Sequence, residues 1–550
     1  MNHINRGEAM NNCKVWKVSV FNLMLILASF VFISNSIAQH LNVQVGNFFP
    51  EKTYYPNEPS IAINPKNTEQ MIATTNGPVH NYYFSYDGGI SWTRAGNYSF
   101  DLGLWGDPCV IADTSGYFHF FHLDRLYSQG ILLLPDRIWH RRISCDQMAG
   151  GWTDSSYTGL NEPKMQDKEW ATCDPFNQNL YVLWTEFDVY GSPAPNDHSN
   201  ILFSKSTDDG LTWSQPLRIN EVSGDCLDDD NTVEGAVPTT GPNNEIYVSW
   251  AGPDGIIFDR SLDYGETWLD EDIIISDMPG GWAFDIPGIS RCGGMPVTVC
   301  DISGGPYNGN IYVNWSDQRN GTNDTDIWLS KSTDGGDSWS PRIRVNNDPP
   351  GKHQMFHWLA LDQSNGFLYC VFYDRRNYND NQTDVYIALS TDGGESFYNQ
   401  KISETPFIPY GWRFLGDYSN IAAVSDVIRP IWARMDTGYV SVWTAIIDPS
   451  ILRVEDSREN QIPTEFELSF AYPNPFNPVT NIKYSVPNTS HISLVVFNTL
   501  GEKISTLVDE EKYPGNYTVL FDGSNLSSGI YFYIMKAGNF IETKKLVLLK

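Results

Sequence analysis

Apolar positions along this chain fall into three regimes. Near the start, Val18 to Ile33 is one predominantly apolar run preceded by Lys14 and Lys17. Through the middle, short apolar runs recur: Pro59-Ser-Ile-Ala-Ile63, Pro108-Cys-Val-Ile-Ala112, Trp170-Ala-Thr-Cys173, Gly235-Ala-Val-Pro-Thr239, Met295-Pro-Val-Thr-Val299, Phe356-His-Trp-Leu-Ala360 and Ser419-Asn-Ile-Ala-Ala423. From residue 467 on, apolar and polar residues alternate over Ile482 to Val486, Ser493 to Phe497, Tyr517 to Phe521 and Ile530 to Met535. Short runs and period-two alternation both predict strands.

Composition points the same way. The 550 residues include 44 Gly, 32 Pro, 18 Trp, 29 Tyr and 28 Phe. Aromatic residues suit pleated surfaces, and Gly and Pro punctuate them, so the chain is expected to be all-β. Acidic residues outnumber basic ones by 66 to 36, for a formal charge of −30, although only 19% of residues are charged. A nucleic-acid surface or an anionic membrane surface is thereby excluded as the main partner.

The first apolar run is shorter than the roughly 20 residues a membrane-spanning helix needs, and Ser36-Ile37-Ala38 supplies small residues for cleavage. Residues 1–38 therefore read as a secretory signal peptide. No later segment is apolar enough to span a bilayer, and the mature chain is expected to be secreted or held at the cell surface. One of the eight cysteines, Cys13, lies in the signal, which leaves an odd number. At least one thiol stays unpaired. Cys292 and Cys300, flanking a Gly-Gly turn, are the one candidate disulfide, and no CxxC supports a zinc site.

A stricter repeat sets the architecture: Ser85-x-Asp87-x-Gly89-x-x-Trp92, Ser206-x-Asp208-x-Gly210-x-x-Trp213, Ser261-x-Asp263-x-Gly265-x-x-Trp268, Ser332-x-Asp334-x-Gly336-x-x-Trp339 and Ser390-x-Asp392-x-Gly394-x-x-Phe397. The Ser and Asp oxygens accept turn amides, Gly takes positive φ and the ring enters the core. The gap between the first two copies is about double the others, and Ser144-Cys145-Asp146 with Gly151-Trp152 fills it as a degenerate copy. The pattern resembles the Asp box, or BNR repeat, of the sialidase-like β-propellers. That resemblance implies that each box joins the third and fourth strands of a blade, away from the binding face. The recurring apolar runs become the innermost strands, and Leu41 to Val45 is expected to supply the last blade's outer strand. The fold expected is a seven-bladed propeller over residues 39–447, with six blades as the alternative.

Residues 448–466 show no strand pattern and read as a linker. Residues 467–550 lack Trp and Cys and read as a small β-sandwich. Their Tyr472-Pro-Asn-Pro-Phe-Asn-Pro478, Gly515-Asn-Tyr517, Ser528-Gly-Ile-Tyr531 and closing Lys544-Lys545-Leu-Val-Leu-Leu-Lys550 resemble the C-terminal sorting domain of type IX secretion cargo. The resemblance implies the type IX machinery as a partner and passage through the outer membrane.

Carboxylates stand at the entries of the inner strands: Glu58, Asp107, Asp167 and Glu169, Glu234, and Asp417 beside Tyr418. Ringed around a channel mouth they could supply a general acid with a carboxylate partner, or bind calcium; alternatively each caps a strand entry. Asp107, Glu169, Glu234, Asp417 and Tyr418 are the catalytic candidates. Arg319, Arg376 and Arg413 could fork onto an acidic sugar, with Glu58 and Trp412 completing the substrate site. Against this, Asp317-Gln-Arg319 and Asp374-Arg-Arg376 repeat as a local device that ties each Arg to its own Asp. Asp225, Asp228 and Asp230 offer calcium ligands on one loop, without EF-hand spacing. The sialidase resemblance lacks its Arg-Ile-Pro motif: the stretch reads Tyr54-Tyr-Pro-Asn-Glu58, and no mature Arg precedes Arg94. Two functions fit: a glycoside hydrolase acting on acidic glycans, or a non-catalytic propeller binding glycan or protein at the cell surface. The partners expected are extracellular glycans or glycoproteins.

Overall fold

The computed structural model describes residues 40–46, 56–76, 81–95, 104–124, 126–128, 131–133, 135–449, 452, 466–468, 471, 474, 476–538 and 540–549. The signal peptide, Tyr54, Arg125 and most of the linker fall outside the described residues. Between residues 41 and 446 the described residues form seven four-stranded antiparallel sheets, and the chain is a β-propeller. The innermost strands of the sheets are Asn57–Ile63, Leu104–Ala112, Met165–Cys173, Glu234–Thr240, Val297–Cys300, Gln354–Asp362 and Asn420–Val424. Each packs against the next sheet's first strand, and the last packs back on Asn57–Ile63, which closes a ring. The seventh sheet borrows its outer strand from the N-terminus: Leu41–Gly46 pairs with Tyr439–Ile446. A closed ring leaves only short sheet edges exposed.

The five boxes fold as the spacing dictates, between the third and fourth strands of their sheets. In sheet three, Ser206 Oγ accepts the Gly210 amide at 2.9 Å and donates to Asp208 Oδ1 at 2.8 Å, while Asp208 accepts the amide and hydroxyl of Thr212. The same set recurs at Ser85 and Asp87, Ser261 and Asp263, and Ser332 and Asp334. Third-strand cations then latch onto the next sheet's box: Lys205 reaches Glu266, and Lys331 reaches Glu395. In the degenerate copy a 3-10 helix, Cys145–Gly150, takes the place of the box.

The tail forms two sheets. Glu467–Leu468, Val479–Val486 and Gly515–Asp522 make one, and Ser490–Asn498, Lys503–Lys512, Gly529–Ala537 and Phe540–Leu548 the other. Their alternating inward residues, Ile482, Leu494, Val496, Tyr533, Met535 and Leu546 among them, share one buried core, as in a sandwich.

One sequence expectation fails here. Cys292 and Cys300 do not pair; all seven described cysteines are free thiols. Cys300 ends a strand at the core between sheets four and five, whereas Cys292 lies near Asp417 and Arg375. Closeness in sequence did not become closeness of their β-carbons, which a disulfide needs.

Candidate functional site

The centre of the ring is built by a repeated backbone irregularity. In five sheets the pairing of first and second strands slips near the strand entry: between Asn57 and Ser60, Gly106 and Cys109 (after a first slip between Leu104 and Gly106), Asp167 and Trp170, Glu234 and Val237, and Met355 and Trp358. The residue in each slip is left-handed, with φ of 47° at Glu58, 49° at Asp107, 50° at Lys168, 76° at Gly235 and 50° at Phe356. Such bulges re-aim side chains, and a left-handed non-glycine residue costs on the order of 1–3 kcal/mol. Here they bring Glu58, Asp107 and Lys168 together from three sheets.

Lys168 is the hub. Its side chain is 5% exposed, and Nζ lies 2.7 Å from Asp417 Oδ2, 3.9 Å from Asp107 Oδ2 and 4.0 Å from Glu234 Oε1. Its amide donates to Asp167 Oδ1 at 3.0 Å. Arg291 grips Asp417 from the other side, with Nε 2.8 Å from Oδ1, and its Nη1 reaches Asp228 at 3.3 Å. Asn76 donates to Glu58 Oε2 at 2.7 Å. Gly416 is required at φ 105°, because a β-carbon there would lie 2.8 Å from the Glu58 amide nitrogen.

Burial and like charge divide the protons unequally. Burial, then Asp107 and Asp417, push Glu58 up to about 8. Burial lifts Asp167, Glu169 and Glu234 well above the carboxylate range, helped by neighbouring carboxylates. Asp417 goes the other way: burial opposes ionisation, but Lys168 and Arg291 hold it at about 2. Both carboxylate oxygens of Glu169 and of Glu234 are buried without a hydrogen-bond partner among the described residues. A protonated acid beside an ionised carboxylate is the electrostatic split general acid chemistry uses.

Access is another matter. Beside Arg291 and Asp417 the space amounts to a cavity of about 10 Å³, lined also by Asp228, Trp282, Cys292 and Met295. That holds about one water. Trp170 and Trp358, from sheets three and six, meet with ring centroids 4.3 Å apart, and Tyr418 lies 5.4 Å from Trp170. All three are buried. The two tryptophans are thus core, and Tyr418 is sealed beneath the carboxylates with its hydroxyl lacking a hydrogen-bond partner among the described residues.

The arginines do not converge. Arg319 forks onto Asp317, with Nε 2.9 Å from Oδ1, and packs 5.1 Å from the Trp328 ring. Arg376 binds Asp374 at 2.7 Å and Asn347 at 2.6 Å. Arg413 lies over the Trp412 ring at 4.6 Å, and Trp412 is 69% exposed. The three aspartates proposed for calcium are spent separately: Asp225 on the Leu227 amide, Asp228 on Tyr190 and Arg291, Asp230 on the Ala283 amide. Among the described residues no group of three or more His, Cys, Asp or Glu is arranged to hold a metal. Sequence reasoning missed Lys168 and Arg291. Lys168 was signalled by its place between Asp167 and Glu169 ahead of an apolar strand; Arg291, in an irregular loop, carried no signal.

Residues 471–549 match the family described as the secretion system C-terminal sorting domain. A comparison with curated protein sequences found no match. Among solved structures, an ulvan lyase, described as a new family of polysaccharide lyase, is similar at 14% identity, over 74% of this chain and 96% of that one, with a TM-score of 0.44. The NanB sialidase from Streptococcus pneumoniae is similar at 9% identity, over 68% and 83%, at 0.41. The Trypanosoma rangeli sialidase is similar at 10% identity, over 83% and 85%, at 0.39. No helix among the described residues is long and apolar enough to cross a membrane. The chain is an exported β-propeller protein, secreted or at the cell surface, that carries a type IX secretion sorting domain at its C-terminus.

Proposed function

We propose that the mature chain is a non-catalytic propeller that binds extracellular glycan or protein on the face opposite the boxes. One observation carries this reading: Asp417, held ionised among the carboxylates at the ring's centre, is gripped by both Lys168 and Arg291 beside a space of about 10 Å³. A nucleophile or base must reach its substrate, and this one is spent on two internal cations. The self-paired Arg319 and Arg376 likewise leave no fork for an acidic sugar.

The second reading, a glycoside hydrolase acting on acidic glycans, draws on the proton split between Glu58 at about 8 and Asp417 at about 2. The test is hydrolysis of fluorogenic sialosides, uronides and neutral glycosides by the full mature chain, with calcium and with chelator, beside a glycan array. Silence on the panel with retention on the array is expected. Turnover that Asp417→Asn or Glu58→Gln abolishes would replace the binding reading with the hydrolase.

A further inference from the structure

Away from the central channel, the binding face carries a cavity of about 180 Å³ at the outer rim between sheets three and four. Its walls are apolar, from Val222, Val233, Trp250, Ile257 and Ile274. Val222 and Ile274 are more than half exposed. Four carboxylates line the same space: Glu221, Asp254, Glu271 and Asp272. Glu221 and Asp272 brace one another, each side chain accepting the other's backbone amide, at 3.0 and 3.1 Å. Asp272 Oδ1 is buried without a hydrogen-bond partner among the described residues. Arg218, whose charge bears on Asp272, donates to the carbonyls of Asn220 and Glu221.

The cavity opens onto a second depression of about 310 Å³ that shares Gly252, Pro253 and Asp254 and adds Asp230 and Asp277. Asp277 is met by Arg319 and Arg342 at 3.3 and 3.5 Å. The acidic end of the groove is therefore the apolar socket, lined by Glu221, Asp254, Glu271 and Asp272, while Asp277 beyond it is offset by two arginines. A volume well below the roughly 300–1,000 Å³ of small-molecule clefts suits a single side chain. Lysine pairs a four-carbon apolar stem with a charged head, which matches an apolar wall ending in carboxylates. An amino sugar has no such stem.

We infer that this groove docks an extended basic peptide segment of a partner protein, with a lysine side chain seated in the socket and its ammonium between Glu221 and Asp272. The inference rests on the binding reading above and names its partner. Charge complementarity of this kind fixes partner choice as well as encounter rate.

The test is fluorescence anisotropy of labelled hexalysine with the full mature chain. Glu221→Gln with Asp272→Asn keeps the bracing acceptors and should raise Kd at least tenfold. Ile274→Trp, which fills the socket without changing charge, should do the same. Glu266→Gln with Glu395→Gln removes equal charge from the box face and should leave Kd within twofold. Equal weakening by both double variants overturns the inference and leaves the binding reading untouched, as does a glucosamine hexamer that competes as well as the peptide. Turnover on the glycoside panel does the reverse: it removes the non-catalytic reading and leaves this result standing.

Discussion

Lys168 Nζ stands 2.7 Å from Asp417 Oδ2 across 249 positions of sequence, so the third sheet is tied to the loop entering the seventh at the ring's centre. The contact removes both charges from water, and its value lies in what happens when one partner is lost. Lys168→Met leaves Asp417, with Asp107 and Glu234 nearby, short of a buried cation. Breaking such a pair costs about 3–5 kcal/mol. A lowered midpoint of urea unfolding is expected, with Asp417→Asn partly restoring it in the double variant.

The pH dependence follows from the two shifted carboxylates. Asp417 is depressed from 3.8 to about 2, so its contribution is complete above 3.8 and is lost as pH falls toward 2. Glu58 is raised from 4.5 to about 8, so its contribution is complete below 4.5 and drains away as pH rises through 8. Asp124 and Asp272, each raised to about 7, and Asp259, raised to about 8, act in the same direction as Glu58. Stability should fall from pH 5 to pH 8. Glu58→Gln should flatten that slope by up to about 1.4 kcal/mol per pH unit, read from denaturant titrations at each pH.

The boxes should behave as structural staples. Ser206→Ala removes an acceptor for the buried Gly210 amide and a donor to Asp208. A loss of about 1–3 kcal/mol is expected, with ligand retention on the array unchanged after the variant is folded. A change in which ligands are retained would contradict the purely structural role.

The thiols should be silent in the native state. Cys109, Cys292, Cys300 and Cys370 are buried, and burial pushes each one up from its ordinary value. The thiolate is the reactive form. Ellman's reagent should leave these four unmodified until denaturant is added, and rapid native labelling of any of them would show that the ring opens.

Trp412 is an exposed aromatic on the face opposite the boxes, with its ring beside the Gly438 turn. Trp412→Ala should change stability by less than about 0.5 kcal/mol, as surface substitutions do. If glycan is the ligand, the same variant should weaken retention on the array several-fold. Unchanged retention would move the contact elsewhere on the face.

Much of the fold was legible because its signals are local. Ser206-x-Asp208-x-Gly210 encodes its own turn within five residues, and the short apolar runs at Pro59, Pro108 and Trp170 mark inner strands whatever lies beside them. The site was legible only in part. The series Glu58, Asp107, Glu169, Glu234 and Asp417 did converge on the ring's centre, yet the sequence could not reveal that bulges would also turn Lys168 inward among them. Arg319 and Arg376 became local pairs, as the repeated Asp-x-Arg spacing allowed.

The sequence by itself determined an all-β repeat architecture, the box turns and the export tail, because each rests on contacts between residues close along the chain. Only the tertiary structure decided which carboxylates keep their protons, that Lys168 and Arg291 seal Asp417, and that Cys292 and Cys300 stay apart. Those outcomes depend on burial and on charges brought together from distant strands, which ring closure and the strand bulges set together.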